Sequence, residues 1–372
     1  METRLFCGDE SSLLGFGCMR FPKTETGEID EPKAEAMLDR AYANGVRYFD
    51  TAYPYHEGKS EPFVGRALAK YPRESFLLAT KLPMWAVHSR EDAERIFHEQ
   101  LSRLGVEYVD FYLFHALRRE TWENGVVGLD LIPIFEDYQR KGLIRHLGFS
   151  FHDSFEVFSE ILHYRKWDFC QIQYNYMDTD RNPGDAGYEL AVELGVPLVV
   201  MEPIRGGLLA NFPEDVKELF RAVNPDRNLA DWALSWVGTH KNVKTILSGM
   251  TEPEQVEDNL RIFGNFKPLS EQEMKAVTGI VQEIRARVVN PCTGCRYCLP
   301  CPFGVEIPRV FNAMNQFSIF GSNKAGFKRQ IEGGADKKGA ADLCRACGAC
   351  LSKCPQHINI PSDIRKAISL FE

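Results

Sequence analysis

The chain has 372 residues, 44% of them hydrophobic and 26% charged, with a formal net charge of −8. That length exceeds the usual single domain and predicts two. No basic stripe is present to follow a nucleic-acid backbone, and no eighteen apolar residues run together, so neither a nucleic-acid partner nor a membrane span is expected. The start METRLFCGDESS is charged and lacks the apolar stretch of a secretory signal, which predicts a cytoplasmic protein.

Short apolar runs bounded by turn residues recur along the first 250 residues. In chain order they are Leu13–Gly17, Val46–Asp50, Phe76–Thr80, Val109–Phe114, His146–Phe149, Phe169–Gln173, Leu198–Met201 and Val243–Leu247. Segments with helical spacing alternate with them: Lys33–Tyr42, Glu61–Ala69, Ala93–Leu104, Ile132–Lys141, Phe155–Tyr164, Gly187–Leu194, Leu229–Val237 and Pro253–Ile262. Strands buried on both faces read as continuous apolar runs, and parallel neighbours need helical crossovers. Eight such repeats predict an α/β fold, a closed (β/α)8 TIM barrel. An open dinucleotide-binding sheet would carry a Gly-x-Gly-x-x-Gly turn, but Gly15-Phe-Gly17 is followed by Cys-Met-Arg.

The barrel is expected over residues 1–266, a linking helix over 267–290 and a separate small domain over 291–372. Ser270 and Glu273 have capping-box spacing at the start of that helix, and Pro291 breaks the chain after it. The tail stands apart in charge, with 11 Lys and Arg against 6 Asp and Glu from residue 291 onward, a surplus of five. Residues 318–340, rich in Gly, Lys and Asn, predict a mobile loop.

Eight of the eleven cysteines fall in that tail. One group is Cys292, Cys295, Cys298 and Cys301, followed by Pro302; the other is Cys344, Cys347, Cys350 and Cys354, followed by Pro355. A reducing compartment argues against disulfides. A four-iron cubane needs four soft thiolates, and the second group has the bacterial ferredoxin spacing, in which the last cysteine crosses to the other cluster. This predicts two [4Fe-4S] clusters in a small, mostly helical ferredoxin-like domain. One would be held by Cys292, Cys295, Cys298 and Cys354, the other by Cys344, Cys347, Cys350 and Cys301. Tetrahedral zinc is the competing reading of any Cys-x-x-Cys pair. Ile307 and Ile358 are expected to pack over the clusters. The positive tail either offsets cluster charge or docks an acidic redox partner.

The segment Phe49-Asp-Thr-Ala-Tyr-Pro-Tyr55-His-Glu-Gly58-Lys-Ser60-Glu61 resembles the aldo/keto reductase superfamily, and the likeness continues through Ala79-Thr-Lys81, Tyr112-Leu-Phe-His115, Lys141–Ser150 and Gln171-x-x-Tyr174-Asn175. With the cysteine tail, the whole resembles the iron–sulfur branch of that superfamily. The resemblance implies a catalytic tetrad of Asp50, Tyr55, Lys81 and His115 at strand ends, and reduction of a small carbonyl compound by a nicotinamide cofactor. Tyr55 would donate the proton, with its hydroxyl made more acidic by the Lys81 ammonium. Asp50 would keep that lysine charged, and His115 would orient the carbonyl oxygen.

The same resemblance implies nicotinamide contacts from Ser150 and Gln171. Phe151 stands at the family's Asn position, and Met201 at its aromatic stacking position. A pyrophosphate would meet Arg205, Gly206 and Gly207, and adenine would lie near Glu254 and Asn259. Relatives that use NADP place cations where this chain has Gly249 and Gln255, which favours NAD(H) over NADP(H). The changes at Phe151 and Met201 leave room for a flavin. The alternative reading is thus an electron-transfer iron–sulfur protein whose barrel binds a flavin or docks a redox partner without hydride chemistry. Ferredoxin, flavodoxin or a flavoprotein are the partners such clusters suggest. Trp85 is expected either at the substrate pocket or as an ordinary packed aromatic, and Cys18 and Cys170 are expected to serve packing.

Overall fold

The computed structural model describes residues 1–321 and 323–371. Two short strands, β1 (Thr3–Phe6) and β2 (Asp9–Ser12), form an antiparallel hairpin that periodicity did not announce. Strand and helix then alternate: β3 (Leu14–Gly17), α1 (Glu31–Ala43), β4 (Tyr48–Asp50), α2 (Ser60–Leu68), β5 (Leu77–Leu82), α3 (Arg90–Leu104), β6 (Val109–Leu117) and α4 (Ile132–Arg140). They continue with β7 (Ile144–Phe151), α5 (Phe155–Tyr164), β8 (Phe169–Gln173), α6 (Gly184–Glu193), β9 (Leu198–Met201), α7 (Glu214–Val223), α8 (Leu229–Thr239), β10 (Val243–Ser248) and α9 (Pro253–Gly264). Strands β3 to β10 are parallel and close on themselves through β10 and β3, forming the expected (β/α)8 barrel.

Local chemistry explains the helix limits. Asp30 caps α1 by accepting from the Lys33 amide, and Ala34, Met37, Leu38 and Ala41 bury one face at three- and four-residue spacing. Ser89 caps α3 in the same way, and Gly105 ends it in the left-handed region at φ 65°. All six residues of β5 are buried, Thr80 and Lys81 included.

The N-terminal hairpin explains why one end of the barrel is closed. Phe6 is fully buried against Tyr48, Leu77, Phe111 and Phe169, and its ring centroid lies 4.4 Å from that of Phe111 and 5.7 Å from that of Phe169. Those neighbours lie at or near the starts of their strands. The opposite end, where the strands finish, is left for chemistry.

The chain divides into two compact units, Met1–Gly206 with Ala230–Ser270, and Gly207–Leu229 with Glu271–Glu372. The second unit therefore includes α7, although α7 follows the seventh barrel strand. It also contains α10 (Glu271–Arg285), α11 (Ile307–Phe320), α12 (Lys324–Glu332) and α13 (Ile360–Phe371). Its core gathers Val310, Phe311, Phe327, Ile331, Ile364 and Phe371 together with Cys298 and Cys354. Glu273 of α10 accepts from Asn224 at 3.0 Å and Arg227 at 3.1 Å, which ties the α7 segment into this unit.

Residues 318–340 are not the loop their composition predicted. Ser322 lies outside the described residues, but α12 occupies the middle of the segment. Asn323 caps it by accepting from the Gly326 amide, and Phe327 and Ile331 bury one face. The two apolar residues at i, i+4 outweigh the glycines and lysines around them.

Candidate active site and cysteine clefts

Asp50 ends β4, Lys81 lies in β5, His115 lies near the end of β6, and Tyr55 opens the turn after β4. In that turn His56 and Glu57 adopt left-handed conformations, at φ 50° and 57°. The Lys81 ammonium is fully buried. It donates to Asp50 Oδ1 at 2.6 Å, to the Thr51 carbonyl at 2.8 Å and to the Tyr55 hydroxyl at 3.5 Å. The structure thus brings Asp50, Lys81 and Tyr55 together. His115 faces them, its ring 6.1 Å from that of Tyr55 and 5.0 Å from that of Trp85.

Burial works against the Lys81 ammonium, but Asp50 and Tyr55 outweigh it and hold the group above the usual lysine range. Burial pushes the Tyr55 hydroxyl up and Lys81 pulls it back; the balance lies above the usual tyrosine range. The expected acidification is therefore a partial offset of desolvation. Burial, helped by repulsion from Lys81 and His152, drives His115 well below the usual histidine range. A neutral imidazole follows, with its buried Nδ1 unpartnered.

A second layer holds the lysine strand in place. Buried Glu61 accepts from Thr80 and Gln100, both at 2.7 Å, and Gln100 also donates to the Lys81 carbonyl at 3.0 Å. Tyr112 completes the network by donating to Gln100 Oε1 at 2.7 Å. Glu61 stood in the sequence motif without a role, and nothing in local spacing marked Gln100.

The residues expected to hold a nicotinamide, Ser150, Gln171 and Met201, lie toward the ends of β7, β8 and β9. The pairing of β6 with β7 shifts register between Phe114 and Leu117, and Ala116 takes φ 54°, a bulge beside His115. Ser150 Oγ accepts from the Ala116 amide at 2.7 Å, so it anchors that bulge and keeps its own proton to donate. Gln171 is buried. Its Nε2 donates to Met201 Sδ at 3.4 Å, while its Oε1 has no partner. Phe151 packs against Phe158 of α5, ring centroids 5.0 Å apart, on the helix-facing side of the sheet.

Arg205 approaches Asp178 at 3.4 Å, and Gly206 and Gly207 both have positive φ. Asn259 is buried and donates to Ser248 Oγ at 2.7 Å; Glu254 is exposed. Gln255 is occupied as an N-cap partner, accepting from the Glu252 and Thr251 amides. A cationic side chain nevertheless lies beside Gly249. Arg20, from the loop after β3, lies over it, so that a Cβ at Gly249 would meet Arg20 carbons at 3.0–3.2 Å. The Arg20 guanidinium is paired with Glu202 at 3.5 Å.

The cysteines form two clefts. Cys292, Cys295, Cys298 and Cys354 line one, with Ile307 and Ile358, enclosing about 320 Å³. Cys301, Cys344, Cys347 and Cys350 line the other, of about 320 Å³, again with Ile307. Among the described residues no three or more His, Cys, Asp or Glu side chains are placed to hold a single metal ion. The thiols of each quartet stand around a cleft. Cys18 and Cys170 are buried, in keeping with packing.

Residues 13–282 match the aldo/keto reductase family. The chain belongs to that family. Residues 291–358 of this aldo/keto reductase match the 4Fe-4S dicluster domain, so the second unit carries an iron–sulfur module. Over 72% of its length the chain is 26% identical to an uncharacterized oxidoreductase of Bacillus subtilis (strain 168), covering 91% of that protein. An NADH-specific methylglyoxal reductase of Escherichia coli (strain K12) is 26% identical over 63% of this chain and 83% of its own length. A solved aldo-keto reductase from Bacillus halodurans, in its holo form, superposes with TM-score 0.64 at 27% identity, over 75% of this chain and 96% of that one. The protein is thus an oxidoreductase with an iron–sulfur module, and no helix among the described residues is long and apolar enough to cross a membrane.

Proposed function

We propose that the barrel reduces a small carbonyl compound by hydride transfer, with Tyr55 as proton donor. The observation that carries this reading is the buried Lys81 ammonium bonded to Asp50 and in reach of the Tyr55 hydroxyl, with neutral His115 facing Tyr55. A reduced nicotinamide, when bound, supplies the hydride. The orphaned Gln171 Oε1 and the free proton of Ser150 fit a carboxamide, one as acceptor and the other as donor. Met201 offers a sulfur and methyl face in place of an aromatic ring. Arg205, Gly206 and Gly207 provide a cation and backbone amides suited to phosphate, and Glu254 and Asn259 border the adenine end. The neutral imidazole of His115 donates to the substrate oxygen, and Tyr55 delivers the proton as negative charge develops there. Lys81 stabilises the tyrosinate left behind, and Asp50 keeps Lys81 charged.

NADH is favoured over NADPH because Arg20 is already paired with Glu202, whose carboxylate also opposes a further phosphate. The E. coli relative's name, an NADH-specific reductase of a small dicarbonyl, agrees with both choices. The two cysteine clefts each suit a four-iron cubane, since four thiols around a cleft match a group with four corners. Such clusters move single electrons, in exchange with a redox partner.

The test is anaerobic turnover of methylglyoxal with NADH. Tyr55→Phe should cost about 10²- to 10⁴-fold in kcat while leaving NADH binding, followed by fluorescence, unchanged. An undiminished rate removes Tyr55 from the chemistry. Iron and sulfide analysis should give about eight of each per chain, and zinc in their place overturns the cluster reading.

A second reading is favoured by Phe151, which packs against α5 and presents no amide to a nicotinamide. In it the barrel holds a flavin or docks a partner, and the protein transfers electrons only. Flavin absorption in purified protein, with no carbonyl turnover, selects it.

A further inference from the structure

We propose that the rim of the second cysteine cleft, around Cys347, is the docking surface for an acidic single-electron carrier protein. The proposal rests on the reading that this cleft holds a redox-active cluster. Of the eight cysteines, only Cys295 and Cys347 are exposed, so each quartet turns one corner to solvent. The two corners differ in their charged surroundings. Beside Cys295, Arg296 is held by Glu306 at 3.0 Å, which neutralises it. Beside Cys347, Arg345 lines the cleft, and Lys353 follows six residues after that cysteine in the chain; both are exposed and neither has a salt-bridge partner among the described residues. Residues 343–362 contain no Asp or Glu at all.

Apolar surface accompanies the open cations. Leu351 is 43% exposed, and so is Phe303, which lines the same cleft as Arg345. An apolar contact area beside unpaired positive charge suits a carrier whose own redox group is rimmed by carboxylates. Cations that only offset cluster charge would be expected against the thiols. Lys353 lines neither cleft. Ile307 and Ile360 line both clefts, so an electron entering at Cys347 has the other cleft on the far side of two side chains. The step is one electron: the carrier is oxidised by one unit, the group held by Cys301, Cys344, Cys347 and Cys350 is reduced by one, and no bond or proton changes hands.

The experiment uses the full anaerobic chain and an acidic flavodoxin, pre-reduced, as the carrier. Cluster reduction is followed by stopped-flow absorbance at several salt concentrations. Lys353→Glu should slow reduction by flavodoxin about tenfold at low salt, and the difference should fade at high salt as the charges are screened. Reduction by dithionite, which needs no docking surface, should be unchanged, as should the iron content. Lys324→Glu makes the same charge change on α12 and should have little effect. Equal slowing by both variants would reduce the effect to net charge and overturn the proposal, as would a Lys353→Glu rate indistinguishable from the unaltered chain. Absence of iron–sulfur absorption would instead defeat the cluster reading itself.

Discussion

The two units place their reactive groups in opposite ways. In the barrel, charged groups are buried and already partnered: Lys81 on Asp50 and Thr51, Glu61 on Thr80 and Gln100. In the second unit the reactive groups are soft thiols spread around clefts, and two of them, Cys298 and Cys354, belong to the hydrophobic core itself. A barrel strand can hold a lysine because ladder bonds and outer helices fix it on all sides. A small helical unit has less apolar surface to bury, and its core is completed by whatever the thiols bind.

The largest effect expected from this contrast is on metal removal. Stripping the iron should unfold α11 and α13 while the barrel strands remain protected, which hydrogen exchange would show segment by segment. Uniform loss of protection would mean that the barrel is not self-sufficient. Next in size is Lys81→Met, expected to lower carbonyl reduction about 10²-fold or more. Without the ammonium the Tyr55 hydroxyl loses the one influence pulling it down. The alkaline limb of the rate that the Tyr55 hydroxyl sets should therefore move further up. A limb that moves down would reverse the assigned roles. At the other end of the pH scale, His115 is kept neutral by the fold. Its depressed proton affinity means that stability should fall as pH drops below about 6.5, the value of the unfolded chain.

Phe6→Ala tests the closed end of the barrel. Removing a fully buried ring should cost about 3–5 kcal/mol in urea unfolding of the barrel, with no change in the site's chemistry. The smallest effect is expected at the cofactor rim. Glu202→Gln frees Arg20 and should raise NADPH affinity about threefold to tenfold, with NADH binding little altered, as measured by fluorescence titration.

Much of the barrel was legible in the chain, because the alternation of apolar runs with helical spacing is a local property. Phe169–Gln173 and Leu198–Met201 match their predicted strands residue for residue, and the remaining barrel strands differ only at their ends. The hairpin β1–β2 was not legible: each strand has four residues, and Phe6 acquires its meaning only from Tyr48, Phe111 and Phe169 far along the chain. At the site, Asp50, Tyr55, Lys81 and His115 could be nominated from motif and order, whereas Gln100 could not, since a glutamine on a helix face carries no signal of its partner.

Cysteine spacing and strand periodicity are therefore properties of the sequence alone. They depend on neighbours a few residues apart, and geometry follows from them directly. The tertiary structure decided what each polar group touches. It turned Phe151 toward α5, set Ser150 under the Ala116 amide, laid Arg20 over Gly249 and drew α7 into the second unit. The physical reason is that burial forces each polar atom to find a partner wherever the closed barrel supplies one, and that partner can lie more than two hundred residues away, as Thr245 Oγ1 does from Ser11 Oγ.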